Sequence, residues 1–201
     1  MLVNGIKSRP VYTGLTIDPN AGRHLFALEG EGPQALFDQV QQVGAGFLAS
    51  AQILYVPTTA APKDHAAKIA ALKPDDLWLA PTIAVLLNRF RNELSRATMR
   101  TRIYVAGTEG FIGQVMRETL DFGVDHKSIR NEHRGSEARR VQCVHCKGIT
   151  EDVKTSPYAC THCGLNLLVR DHYSRRLAAF QGVSIEAEEP GTAPPPEELF
   201  R

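Results

Sequence analysis

All four cysteines of this 201-residue chain fall within one short stretch, as two Cys-x-x-Cys pairs: Cys143 with Cys146, and Cys160 with Cys163. Two residues between cysteines let both sulfurs of a pair reach one ion from a tight turn, where backbone N–H groups also bond the thiolates. Two such turns facing each other complete a tetrahedron of sulfur, which suits Zn²⁺ or a single iron ion. Thirteen residues separate the pairs, fewer than the usual gap of roughly 15–20 but enough for a short hairpin. The competing arrangements are two disulfides or four free thiols. Disulfides are disfavoured because the first ten residues hold no long apolar core of a secretory signal, which points to a reducing cytoplasm. His145 and His162 sit inside the two turns and are chemically able to replace a thiolate. With four cysteines at this spacing neither is needed, and both are expected exposed at the rim of the site.

The rest of the chain is long enough for one full core. Hydrophobic residues make up 43 % and charged residues 22 %, the balance of a soluble globular protein, and a net charge of +1 gives no general pull toward nucleic acid or membrane. No apolar run reaches the roughly 18 residues needed to span a bilayer. Pro10, Gly14, Pro19 and Gly22 punctuate an irregular start with a short β-like piece over 11–17. Residues 24–29 then read as a buried strand, followed by Gly30-Glu31-Gly32-Pro33 and a helix over 34–43 with Leu36, Phe37, Val40 and Val43 on one face. Strand, glycine turn and helix form the opening of a doubly wound α/β unit.

The pattern continues with a strand over 52–57, a weak helix over 64–72, a short strand over 75–79 and a long helix over 81–96. In that helix Ile83, Leu86, Leu87, Phe90 and Leu94 recur at helical spacing, and Trp78 just before it reads as a core anchor. Residues 101–107 are the clearest strand, leading into a helix over 111–122 with Gly123 as its stop and an edge strand over 128–132. The alternation predicts a parallel sheet with helices on both faces over residues 1–135. A four-cysteine module occupies 136–183, its basic and partly amphipathic end running over 166–183. Residues 184–201, acidic and rich in proline, are expected to form an extended, poorly ordered tail.

Two resemblances bear on this plan. Over about residues 22–133 the chain resembles the pyridine-nucleotide domain of ferredoxin reductases. Gly107, Glu109, Gly110, Phe111, Gly123, Val124, Ile129 and Glu132 stand in that family's places. The departures imply lost cofactors: Ala106 replaces the cysteine beside the nicotinamide, Thr108 a proline, and His133 or Arg134 the aromatic that covers the flavin. Glu31 places a carboxylate in a loop that works by aiming N–H groups at phosphate. In phthalate-dioxygenase-type reductases a nucleotide domain is followed by an iron–sulfur domain; here a four-cysteine module follows instead. Its spacing is not that of a [2Fe–2S] cluster, so one ion is expected, as in a zinc ribbon or rubredoxin.

Taken whole, and above all in CTHCGLNLLVRDHYSRRLAAFQGV after a short α/β domain, the chain resembles the small accessory subunit family of bacterial dimethylamine monooxygenases. That resemblance implies a cytoplasmic, NADPH-dependent complex that converts dimethylamine to methylamine and formaldehyde. Its partners would be a haem-containing catalytic subunit and a flavin/iron–sulfur reductase subunit, with neither nucleic acid nor membrane.

Three functions therefore compete. The metal is structural zinc in a non-catalytic oxygenase subunit, or iron relaying electrons, zinc being preferred. Alternatively the module is a zinc ribbon of a nucleic-acid-binding or regulatory protein, as Arg139, Arg140, Arg170, Arg175 and Arg176 invite. No nucleophile elbow, phosphate loop or carboxylate pair marks a catalytic site, and no cofactor-binding residue is assigned. Asp125-His126 and Asp171-His172 read as turn or interface features, and residues 171–176 as a partner contact.

Overall fold

Six of the seven residues of β1 (Arg23–Glu29) are buried. A strand buried on both sides belongs inside a sheet covered twice. Leu25 and Ala27 join one core, Phe26 and Leu28 the other. Around it β2 (Ala51–Val56), β3 (Asp76–Leu79), β4 (Thr101–Gly107) and β5 (Ile129–His133) pair in parallel, in the order β3-β2-β1-β4-β5. Helices α1 (Pro33–Val43) and α2 (His65–Ala71) cover one face through Leu36 and Ile69. Helices α3 (Ile83–Leu94) and α4 (Glu109–Asp121) cover the other through Leu86, Phe90, Phe111 and Val115, with Trp78 packed against them. The strand order reverses between β1 and β4, the switch point of a doubly wound fold. The expected parallel α/β sheet is present. At the starts of α3 and α4 the Thr82 and Thr108 hydroxyls accept from the amides of Val85 and Phe111.

The structure, a computed structural model, describes residues 8–59 and 64–201. These divide into two units, Tyr12–Gly135 and Ser136–Arg201, the second including residues 8–11. The reading of the N-terminus as lacking a signal falls in part on residues 1–7, outside those described. Among the described residues no helix is long and apolar enough to cross a membrane.

No strand forms over 11–17. Its amides instead bond side chains of the finished unit: Leu15 N–H to Glu132 Oε2 at 2.7 Å and Ile17 N–H to Gln39 Oε1 at 3.0 Å. With those donors satisfied, and Leu15 and Ile17 buried in the core under α1, the segment needs no strand partner.

The second unit is a sheet ordered β7-β6-β11-β10-β9, made of β6 (Arg139–Cys143), β7 (Ile149–Val153), β9 (Tyr158–Ala159), β10 (Asn166–Ser174) and β11 (Ala179–Ser184). Only β6 and β11 run parallel. Strands β8 (Thr155–Ser156) and β12 (Glu197–Glu198) form a separate pair. The basic stretch over 166–183 is thus a hairpin. Tyr173, expected at a partner surface, is buried edge-on against Phe180 at 5.0 Å. The strand bulges between Arg170 and Tyr173, and Ser8 fills the gap: its hydroxyl donates to Tyr173 O and accepts from Tyr173 N–H. Residues 8–11 therefore group with this unit rather than with the first domain. The acidic tail also departs from its expected disorder. Its β12 pairs with β8, the amides of Leu199 and Phe200 donate to Lys154 O at 3.0 Å, and Phe200 is 7 % exposed. Composition argued for an open chain, but one aromatic with a site to fill outweighs it.

Candidate metal centre

Strand β6 alternates buried and half-buried positions and ends on Cys143, whose sulfur therefore points into the core. The chain then reverses: Cys143 N–H donates to Gly148 O at 2.9 Å and Lys147 N–H to Cys143 O at 3.0 Å. The second turn repeats the pattern, with Cys160 N–H to Leu165 O at 2.9 Å and Gly164 N–H to Cys160 O at 2.9 Å. Both turns need a left-handed residue after the second cysteine. Gly164 supplies it at φ +75, Lys147 at φ +63.

The two turns face each other and bring the four sulfurs within 4.8 Å of one another. Cys143 Sγ lies 3.9 Å from Cys163 Sγ, and Cys146 Sγ 3.8 Å from Cys160 Sγ. A disulfide needs about 2 Å. A regular tetrahedron with metal–sulfur bonds of about 2.3 Å has edges of about 3.8 Å, so the donor set fits one zinc-sized ion. Burial opposes ionisation of Cys160, but the amides of His162 and Cys163 and the neighbouring sulfurs bring its thiol down to about 7. At Cys163 the Leu165 amide acts in the same direction; burial and the other three sulfurs outweigh it and hold the thiol up at about 12.

The histidines stand where expected, exposed and outside the donor set. His162 Nε2 donates to Ile149 O at 2.9 Å. Its ring rests on Gly148, where an added Cβ would sit 2.5 Å from His162 Cγ. Several neighbours of the site carry no motif. Tyr158 packs in the same cluster as the cysteines. Burial first, and the sulfurs of Cys160, Cys143 and Cys146 after it, push its phenol up to about 12, against a lowering contact from Thr150. The available signal was period two: Tyr158 and Cys160 flank an exposed Ala159, so both side chains face inward. Arg139 is 6 % exposed, its Cζ 4.1 Å from the ring centres of both Phe180 and Phe200 and its Nη2 2.7 Å from Asp171 Oδ1. Arg140 bonds Glu151 and Leu177 O.

At the carboxyl edge of the parallel sheet, where a dinucleotide would lie, the backbone is engaged internally. Glu29 Oε2 accepts from Thr108 N–H at 2.9 Å, and Gly32 packs so closely that an added Cβ would meet Ala106 O at 2.1 Å. Gly30 O accepts from the Tyr55 hydroxyl at 3.0 Å. Arg134 is held between Glu132 and Asp38, and His133 stacks on Tyr12 with ring centres 6.0 Å apart.

Among solved structures, an intact type IV self-sufficient cytochrome P450 monooxygenase aligns at TM-score 0.44 and 18 % identity, over 67 % of this chain and 19 % of that one. The flavohem-like FAD/NAD-binding domain of nitric oxide dioxygenase from Vibrio cholerae O1 biovar El Tor aligns at 0.40 and 17 %, over 59 % and 53 %. A curated relative, the heme-dependent oxidative N-demethylase delta subunit of Ectopseudomonas mendocina (strain ymp), is 30 % identical over 110 residues, 55 % of this chain. The match spans 63 % of that relative's length. The models for the N- and C-terminal domains of the "dimethylamine monooxygenase subunit DmmA-like" family match residues 4–129 and 140–183. With both of its domains matched, this chain belongs to the dimethylamine monooxygenase subunit DmmA-like family.

Proposed function

We propose that the chain is a non-catalytic accessory subunit of a cytoplasmic, NADPH-dependent haem monooxygenase that demethylates dimethylamine to methylamine and formaldehyde. The partners are a catalytic subunit holding haem and a reductase subunit holding flavin and an iron–sulfur centre; no nucleic acid or membrane takes part. The observation that carries the non-catalytic role is the closed donor set. Four sulfurs fill a tetrahedron and leave no position for substrate or oxygen. The internally bonded carboxyl edge of the sheet agrees with it, since Thr108 N–H already serves a carboxylate. The family description supports a dimethylamine monooxygenase and the relative's name a haem-dependent oxidative N-demethylation, while NADPH and the reductase partner rest on the family resemblance alone. Cys143, Cys146, Cys160 and Cys163 hold zinc, which supplies a fixed cross-link and no redox chemistry. The nucleic-acid reading is weakened because Arg139 and Arg140 are both committed to ion pairs.

A second reading, iron passing single electrons, has one observation in its favour. Cys146 and Cys163 are only half-buried, so one edge of the sulfur tetrahedron lies near solvent. The test is to produce the chain with candidate haem and reductase subunits and measure NADPH-dependent formaldehyde release from dimethylamine. Elemental analysis and a visible spectrum of this chain, separated from the native assembly, accompany it. Zinc gives a colourless chain, ferric iron a red one. Cys160→Ser unfolds the second unit if the site is structural. It abolishes NADPH turnover with the fold retained if the site is a relay. A stable, fully active assembly without this chain refutes the accessory role.

A further inference from the structure

The fold uses only part of the basic hairpin end. Of residues 171–176, Tyr173 is buried and Asp171 is bonded to Arg139, while His172, Arg175 and Arg176 stay exposed. Arg175 and Arg176 form no ion pair among the described residues. The turn that carries them is pinned: Leu177 N–H donates to Ser174 Oγ at 3.3 Å, and Leu177 O accepts from Arg140 Nη1 at 2.8 Å. Beside the turn lies a groove of about 230 Å³. Val144, Leu177 and Ala179 line it with Gln142, Gln181 and His172, and no acidic residue takes part. Val144 and Lys147 belong to the first cysteine turn, so that turn forms one wall and the β10–β11 hairpin the other. Exposed cations thus stand at both rims, Lys147 on one and Arg175 with Arg176 on the other. The volume falls below the roughly 300–1,000 Å³ of small-molecule sites and suits one inserted side chain.

We propose that this groove docks an acidic segment of a partner protein, which inserts one aliphatic or aromatic side chain while its flanking carboxylates meet Arg175, Arg176 and Lys147. The inference rests on the accessory role proposed above and names the surface through which that role is exercised. Arginines without an ion pair inside the chain offer bidentate bonds to carboxylates, and arginine is enriched at protein interfaces for that reason. The rim and the groove have separate effects. Opposite charge steers the encounter and is screened by salt, whereas a side chain buried in a pocket sets how long the complex lasts. A polyphosphate chain meets the rim but gains nothing from the apolar part of the groove, where a charged group would lose water without a bond in return.

The experiment immobilises the full chain and measures association and dissociation rates of candidate haem and reductase subunits at low and high salt. Arg175→Glu with Arg176→Glu is expected to slow association of one subunit about 10-fold at low salt and to have little effect at high salt. Leu177→Ala is expected to speed dissociation about 5-fold at either salt. Arg96→Glu with Arg100→Glu makes the same change in net charge on exposed residues of the first unit and is expected to bind as wild type. Hydrogen exchange over residues 136–183 that matches wild type shows that the variants keep the second unit folded. Wild-type association by the double reversal overturns the proposal, and so does an equal loss in the Arg96/Arg100 control, which would assign the effect to overall charge. Wild-type dissociation by Leu177→Ala overturns the inserted side chain. A wild-type chain that binds neither subunit overturns the accessory role itself, and this inference with it.

Discussion

Phe200→Ala tests whether the acidic segment belongs to the folded second unit. The ring is 7 % exposed and lies against the guanidinium of Arg139, which also sits over the ring of Phe180. A buried phenylalanine removes about 200 Å² from water, worth about 5 kcal/mol at about 25 cal/mol/Å². An extended-chain reference overstates this, leaving about 3–4 kcal/mol. The cation–π contact adds about 1 kcal/mol. Against these, truncation frees two or three residues held by Lys154 O, each regaining about 1 kcal/mol of backbone entropy, and lets water reach Arg139. The net loss is about 2 kcal/mol, or roughly 8–16 °C in Tm for a unit of this size. Phe200→Leu keeps most of the apolar area, removes the ring face and loses about 1 kcal/mol. The only tryptophan, Trp78, lies in the other unit, so its fluorescence reports the wrong transition. Hydrogen exchange read on peptides covering 150–175 reports the right one. Protection there within about 0.5 kcal/mol of wild type would mean that the tail does not hold the core, and the accounting above would be wrong.

Three further perturbations have worked outcomes. Gly148→Ala drives a methyl into the His162 ring, breaks the bond to Ile149 O and costs about 1–2 kcal/mol, read as faster metal loss to a chelator and a lower Tm. Gly32→Ala meets backbone rather than a movable side chain, Ala106 O at 2.1 Å, so it costs more than about 3 kcal/mol and shows as loss of soluble protein. Arg91→Ala leaves the carboxylate of Glu118, 4 % exposed, without its main partner. The Arg91 hydrogen bonds hold the Glu118 carboxyl below its usual range, so their stabilisation is present above the unfolded carboxylate range, near about 4.3, and is lost as pH falls through the lowered value. With Arg91 itself 43 % exposed, the variant is destabilised by about 1–2 kcal/mol near pH 7 and by progressively less as pH falls below about 4, measured by urea unfolding with Trp78 fluorescence.

The first unit was legible because its strands are buried on both faces, so hydrophobic runs such as Leu25–Leu28 and Ile103–Ala106 coincide with strands, while α3 shows its buried face at helical spacing. The four ligand candidates were legible for a different reason: two-residue spacing is a local constraint that survives any global arrangement. What stayed hidden depends on partners far apart in sequence. Ser8 meets Tyr173 and Phe200 meets Arg139, pairs that no period or composition announces. Arg139 shows the resulting error most directly. As one of several basic residues it suggested a surface for nucleic acid, yet it is a core residue whose charge is met by Asp171 and two ring faces.

The same long-range partners bear on why the second unit needs its sulfur centre. It is small, and small units bury too little apolar surface to stand easily against chain entropy. Its buried cluster includes Val141, Val153, Leu167, Val169 and Phe180, but Cys143 and Cys160 are members of equal burial. With thiols left protonated, those positions contribute only two small apolar side chains and a set of sulfurs competing for shared protons. With one ion in their midst, the same positions become bonds linking the turn after β6 to the turn after β9, across strands separated in the sheet by β11 and β10. In such a site the free energy of binding is in large part free energy of folding. The tail at Phe200 and the segment at Ser8 would then close what such an ion holds together, one over Arg139 and the other in the bulge of β10.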